Sequence, residues 1–173
     1  GRQRQKEEEP EEEEEEDWEG SDDEFFSAWK HKQTQQMIAN VPVFGRVREI
    51  GVGEYVSAID NEKESVYVVI HLYENDVEAC KFVNFFLDQL APPHKHVKFL
   101  KIVASDAQQN WQRKALPTLL VYKEGDLIQK HIDLANIITL DTALSLEQFF
   151  FDKGIIAAKK YVPVEKQAKE HMA

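Results

Sequence analysis

The chain has 173 residues, the length of one ordinary domain, and its 32 acidic and 21 basic side chains give a net charge of −11. The charge is concentrated at the N-terminus, where residues 1–24 contain 14 acids and three bases. The remaining residues contain 18 of each, so the rest of the chain is neutral. Because the chain has no excess of basic residues to neutralise phosphates, its composition argues against a nucleic-acid-binding protein.

The sequence also excludes two other classes of protein. No apolar run approaches the ~20 residues of a transmembrane helix, and there is no secretory signal. The single cysteine, Cys80, rules out an internal disulfide framework and is typical of a reducing compartment. The chain begins with Gly1 rather than Met, which suggests that its natural N-terminus is missing.

Residues 1–20 are predicted to form a disordered acidic arm. The segment has one aromatic residue, no β-branched residue and many like charges, so it offers little apolar surface to bury. Two interpretations are open: a tail that only solvates the chain, or an arm that binds a partner. In the second case the candidate binding residues are the longest run of acids, namely Glu11, Glu12, Glu13, Glu14, Glu15 and Glu16.

A helix is predicted for residues 21–40. It begins with a capping box, in which Ser21 is the N-cap and Glu24 stands at N3. Its flanks are polar, so its aromatic residues are interpreted as contacts for a partner protein, with packing against the body as the alternative. These residues are Phe25, Phe26 and Trp29.

The body of the chain is predicted at residues 43–157, followed by a loose polar tail at 158–173. Residues 66–73 read VYVVIHLY, a run of strand formers typical of a strand buried on both faces. The predicted strands are 43–50, 66–73, 97–104, 118–122 and 127–132, and the predicted helices are 53–60, 77–90 and 146–156. In the first of these helices, Tyr55, Val56 and Ile59 are predicted to face inward. Strands that alternate with helices and end in a hairpin predict an α/β fold, a mixed sheet with helices on both faces.

Two segments of the body resemble thioredoxin. The run LPTLLVYKEG at 116–125 is similar to the thioredoxin segment in which a cis-proline precedes a hairpin, which implies a cis peptide bond before Pro117. The run VIHLYENDVEACK at 69–81 occupies the place of the thioredoxin strand, redox motif and helix start. On this overlay Cys80 matches the second redox cysteine, whereas Val77 replaces the first.

This replacement argues against redox catalysis, because dithiol chemistry needs a nucleophilic thiolate and a second thiol. Val77, Cys80 and Pro117 are therefore interpreted as a vestigial thioredoxin site, with a monothiol role for Cys80 as the alternative. His71 falls where thioredoxins bury an aspartate. It is interpreted as a hydrogen-bonded core histidine rather than a catalytic base.

Over about residues 21–157 the chain resembles the phosducin and phosducin-like family, which is a non-redox variant of this fold. The motifs that carry the resemblance are DDEFF at 22–26, FGRVREI at 44–50, IHLYE at 70–74, VKFLKI at 97–102 and LPTLLVYKEG at 116–125. Together these motifs are specific, although each alone would be weak.

The resemblance implies a thioredoxin-like fold, cytoplasmic localisation, no catalytic activity and no cofactor. It implies a co-chaperone or regulator that binds the cytosolic chaperonin CCT/TRiC and assists folding or assembly of G-protein βγ subunits or cytoskeletal clients. The alternative is a regulator that sequesters Gβγ without any chaperonin role.

Two further patterns concern single residues. His94 and His96 lie in the loop 92–96 with no cysteine or carboxylate at ligand spacing, so a solvated loop is expected there and no metal site. Ser21 precedes three acids, the pattern that casein-kinase-II-type enzymes favour, and is a predicted phosphorylation site. A phosphate at a helix N-terminus would stabilise the start of that helix.

Overall fold

The computed structural model describes residues 21–39 and 41–164, in two compact units that divide between Val41 and Pro42. The first unit contains helix α1, Ser21–Ala39. Its first turn carries Asp22, Asp23 and Glu24, which interact favourably with the positive end of the helix dipole. The acidic arm predicted at residues 1–20 lies outside the described residues, and so does the end of the predicted tail, 165–173.

The second unit is built on a five-stranded mixed sheet. Its strands are β1 (Arg48–Glu49), β2 (Val68–Tyr73), β3 (Lys98–Val103), β4 (Thr118–Lys123) and β5 (Asp126–His131). They lie in the order β1-β3-β2-β4-β5. β3 is parallel to β1 and to β2, whereas β4 is antiparallel to β2 and β5 is antiparallel to β4. The sheet is therefore mixed, as predicted.

Helices cover both faces of this sheet. They are α2 (Tyr55–Asp60), α3 (Glu78–Leu90), α4 (Ala104–Ala107) and α5 (Ala143–Asp152), with 3-10 turns at Val52–Glu54, Arg113–Ala115 and Leu134–Asn136. α3 and α5 pack on one face against Val69, Phe99 and Leu119. α2 packs on the other face, in a second core around Ile70 and Leu100.

β2 lies at the centre of the sheet, and all six of its residues are buried. This explains its sequence, because a strand covered on both faces has no polar side to alternate with. The hairpin that joins β4 to β5 turns at Glu124 and Gly125, both of which have positive φ, at 55° and 81°. A two-residue turn of this kind matches the twist of the flanking strands.

Three predicted elements differ from the structure. The strand predicted at 43–50 is regular only at Arg48–Glu49, because Gly45 has a φ of 77° that interrupts the extended backbone. The closing helix, predicted at 146–156, begins earlier and ends at Asp152, just before Gly154 with its φ of 74°. Val56 was predicted to face inward and is 67% exposed; the short α2 buries Ala58 and Ile59 instead.

The segment after α5 is attached to the body, so the prediction of a loose tail from residue 158 is wrong for its first part. The backbone N–H groups of Lys160 and Tyr161 donate to Oε2 of Glu147, at 3.0 and 2.8 Å. The hydroxyl of Tyr161 donates to Gln89 on α3 at 3.1 Å. These contacts to Glu147 use backbone N–H groups, so the chain is attached here while the side chains of residues 157–160 stay exposed.

Within residues 21–39 and 41–164, none of the helices has the length and apolar composition needed to cross a membrane.

Candidate functional site

The vestigial thioredoxin site begins where β2 ends and α3 starts. Val77 has an extended backbone and precedes α3, and the N–H of Cys80 donates to its carbonyl at 3.0 Å. Cys80 therefore lies in the first turn of the helix, where its side chain is completely buried in the core that contains Leu72 and Leu116. Burial raises the pKa of the Cys80 thiol, so the thiolate needed for nucleophilic attack is disfavoured.

An ion pair stands beside this helix start. Asp76, just before Val77, accepts a 2.8 Å hydrogen bond from Arg113, which belongs to the 3-10 turn after α4. The Arg113 guanidinium holds the pKa of the Asp76 carboxyl below its usual range. Both side chains are more than half exposed, so the pair contributes little stability. The pair places two charges next to the vestigial site, but neither side chain is a nucleophile for thiol exchange.

The peptide bond between Leu116 and Pro117 is cis, which confirms the prediction for this bond. The backbone groups around it are used inside the fold. The N–H of Leu116 donates to the carbonyl of Arg113 at 3.1 Å, and the carbonyl of Pro117 accepts from Leu134 at 2.9 Å. These two backbone groups are therefore already paired within the fold.

His71 is a core histidine. It is completely buried, and its Nδ1 donates to Oδ1 of Asn84 on α3 at 2.8 Å, which leaves its buried Nε2 without a partner. The pKa of His71 is lowered to about 3. The main cause is burial, which disfavours the charged ring, and the positive charge of Lys101 acts in the same direction. The ring is thus neutral at physiological pH and sealed from any substrate, which excludes a role as a solvent-accessible base.

Helix α1 carries the predicted aromatic contacts on its surface. Phe25 is 62% exposed, Trp29 54% and Phe26 38%, and the Phe25 and Phe26 rings meet edge to face at 5.4 Å. Every described side chain of this helix from Asp23 to Gln36 is exposed. Phe25 and Trp29 are four residues apart, so they lie on the same side of the helix. Their role as contacts for a partner protein stays a prediction, based on the frequency of aromatic residues among the anchors of protein interfaces.

Some predicted site residues are not tested by the structure. The acids at 11–16 lie outside the described residues, and so does the side chain of Ser21, although Ser21 begins α1. The roles proposed for the acidic run and for phosphorylation of Ser21 stay predictions.

Sequence reasoning missed a buried pair between His94 and Glu147. It placed His94 in a solvated loop, yet the residue is 5% exposed, and its Nε2 lies 2.5 Å from Oε2 of Glu147, itself buried on α5. The prediction was wrong because Pro92, Pro93 and Lys95 are typical of an exposed loop, whereas His94, which lies between Pro93 and Lys95, turns inward. The available signal was an acid, Glu147, within the apolar run of α5.

Among the described residues, no group of three or more histidine, cysteine, aspartate or glutamate side chains could hold a metal ion.

The geometry of the body defines a class of fold: a thioredoxin-like domain that has the cis-proline and the helix start but a single, buried thiol. Two thioredoxins are similar in structure: one from Halobacterium salinarum (TM-score 0.48, 15% identity, 69% of this chain and 96% of that one) and spinach chloroplast thioredoxin F (0.48, 19%, 72% and 93%). The predicted fold class is confirmed by the sheet order and the proline loop.

The family model for phosducin matches residues 7–172, so the chain belongs to the phosducin family, as the sequence motifs predicted. Phosducin-like protein 1 of Dictyostelium discoideum is 39% identical over 109 residues (61% of this chain, 34% of the relative). A phosducin-like protein of Schizosaccharomyces pombe is 33% identical over 125 (71% and 54%), and human phosducin-like protein 31% over 146 (80% and 48%). The chain thus spans about a third to a half of the length of the curated relatives it matches.

Proposed function

We propose that this chain is a non-catalytic co-chaperone that binds the cytosolic chaperonin CCT/TRiC and assists folding or assembly of Gβγ or cytoskeletal clients in the cytoplasm. The observation that carries the proposal is the exposed aromatic surface of α1, formed by Phe25 and Trp29, in a member of the phosducin family. The partners themselves come from the family resemblance.

The vestigial thioredoxin site supports a role without thiol catalysis. Val77 stands where a nucleophilic cysteine would, and the one thiol, Cys80, is sealed in the core with a raised pKa. A monothiol enzyme would need this sulfur at the surface and ionised. The body is therefore better suited to present surfaces to a partner than to carry out thiol exchange.

The net negative charge of the chain is confined to its N-terminal residues. The residues after 24 have no net charge, whereas residues 1–24 hold 14 acids, so long-range attraction to a basic partner surface would come from the acidic arm. Such attraction speeds encounter without fixing geometry. The aromatic residues of α1 would then provide short-range contact that fixes the complex.

The test is equilibrium binding of purified CCT/TRiC to the chain and to the double variant Phe25→Ala/Trp29→Ala. Loss of two exposed anchors should weaken binding at every salt concentration by about tenfold or more, since single hot-spot residues contribute ~2 kcal/mol. Gln35→Ala, an exposed position on the same helix, is the matched control and should bind like the parent.

The same titration with purified Gβγ decides between the two partner assignments. Binding of Gβγ with no binding of the chaperonin would overturn the co-chaperone proposal in favour of a sequestering regulator. Equal chaperonin binding by the parent and the double variant would show that α1 is not the contact surface.

A further inference from the structure

A pocket of about 360 Å³ opens at the end of the sheet opposite the vestigial thioredoxin site. Three segments form it: the residues that lead into β2, the loop that leads into β3, and the segment after α5. β2 and β3 are parallel and both begin here, whereas the helix of Cys80 starts where β2 ends. The pocket thus lies at the other end of the sheet from the vestigial site.

The polar side chains that line this pocket are two lysines, two hydroxyl residues and two histidines. They are Ser65, Tyr67, His94, Lys95, His96 and Lys160, and no carboxylate is among the residues that line the pocket. A further cation lies close by, because Nζ of Lys123 sits 4.8 Å above the ring of Tyr67. The positive charges of this lining come from Lys95 and Lys160, while the carboxylate of Glu147 lies behind the wall.

The buried Glu147 positions two parts of the pocket wall. Its Oε2 accepts from His94 Nε2 at 2.5 Å and from the backbone N–H of Lys160 at 3.0 Å. Because the Nε2–H of His94 donates to Glu147, Nδ1 is left as the acceptor nitrogen of this imidazole. His96 is fixed as well, since its Nδ1 donates to the carbonyl of Pro42 at 3.0 Å. The imidazoles are therefore held in place before any ligand arrives.

We propose that this pocket binds the phosphate group of a small molecule. Lysine ammonium groups are strong donors to phosphate oxygens, and the hydroxyl groups of Ser65 and Tyr67 add directional hydrogen bonds. The volume accommodates a phosphate together with a small organic group, which could contact Tyr67 and the apolar wall at Ile155 and Ile156. This site is independent of the partner binding proposed above.

The experiment is a titration of the whole chain with inorganic phosphate and with phenyl phosphate, followed by amide chemical shifts in a phosphate-free buffer at constant ionic strength. Shifts should saturate and concentrate at residues 65–67, 94–97 and 154–160. Lys95→Gln and Lys160→Gln remove exposed side-chain charges and should each weaken binding about tenfold, the range for a hydrogen bond to a charged group. Tighter binding of phenyl phosphate would identify an ester as the ligand, and equal binding would identify free phosphate.

The matched control is Lys130→Gln, an exposed lysine on β5 that does not line the pocket, which should bind phosphate like the parent. The proposal is overturned by the absence of saturable shifts, by identical shifts with chloride at equal ionic strength, or by unchanged affinity in both pocket variants. None of these outcomes depends on whether the chaperonin binds.

Discussion

His71 should make the folded body sensitive to acid. In the folded chain its pKa is about 3, against an ordinary value of 6.5. Because the folded value lies below the unfolded one, the unfolded chain binds more protons at any pH below about 6.5, and stability falls as the pH falls through that range. At neutral and alkaline pH the ring is unprotonated in both states and contributes no pH dependence.

The magnitude follows from the two pKa values. Between pH 8 and pH 5 the unfolded chain takes up a proton at His71 while the folded chain does not, a difference of about 2 kcal/mol in the free energy of unfolding. The loss approaches roughly 5 kcal/mol as the pH nears 3. This is a large part of the stability of a small domain, which is typically about 5–15 kcal/mol.

The assay is urea unfolding of the parent and of His71→Phe, monitored by circular dichroism at pH 8 and pH 5. Phenylalanine keeps the stacking with Tyr73, whose ring centroid lies 5.5 Å away, and removes the titrating group. The variant should lose about 2 kcal/mol less than the parent between the two pH values, whatever its absolute stability. His31→Gln, at an exposed histidine of α1, should lose as much as the parent. Equal losses in the parent and in His71→Phe would refute the reasoning.

Four further predictions concern other parts of the chain. Cys80 should give no turnover in a dithiothreitol-driven insulin reduction assay, so the parent and Cys80→Ala should both match the background rate. Glu147→Ala should lower the free energy of unfolding by about 3 kcal/mol, because it leaves the N–H groups of His94, Lys160 and Tyr161 without their buried acceptor, and urea unfolding measures this. Neutralising residues 11–16 to Gln should weaken chaperonin binding mainly at low salt, with the loss fading once the Debye length falls below ~8 Å; equal low-salt binding would indicate a solvating tail. Protein isolated from cells should carry phosphate at Ser21 by mass spectrometry, and the absence of occupancy would argue against regulation there.

The central strands and the longest body helix could be predicted from the sequence because their environments leave strong patterns. β2 is buried along its whole length, so all of its residues except His71 are apolar and most are β-branched or aromatic, and α3 shows a clean helical period. The cis bond before Pro117 was predictable because the residues around it match a known motif. The first predicted strand was overextended, because the positive φ of Gly45 limits its regular part to Arg48–Glu49.

The absence of a second thiol could be read from the sequence, because Val77 stands where a cysteine pair would need its first member. His94 was not predictable in the same way. Its burial depends on a contact with Glu147, 53 positions away along the chain, and loop composition contains no information on that partner. The proposed phosphate pocket depends on Glu147 as well, because the hydrogen bonds of Glu147 to His94 and Lys160 hold the segment after α5 against the loop before β3.

The central claim is that this chain acts by binding a partner and not through its thiol. The most direct measurement is an equilibrium titration of purified CCT/TRiC with the parent chain and with Cys80→Ala, under the same conditions. The account predicts saturable binding with the same affinity for both proteins, because Cys80 is completely buried and cannot contact a partner. No detectable binding of the parent, or binding that is lost in Cys80→Ala while that variant stays folded, would contradict it.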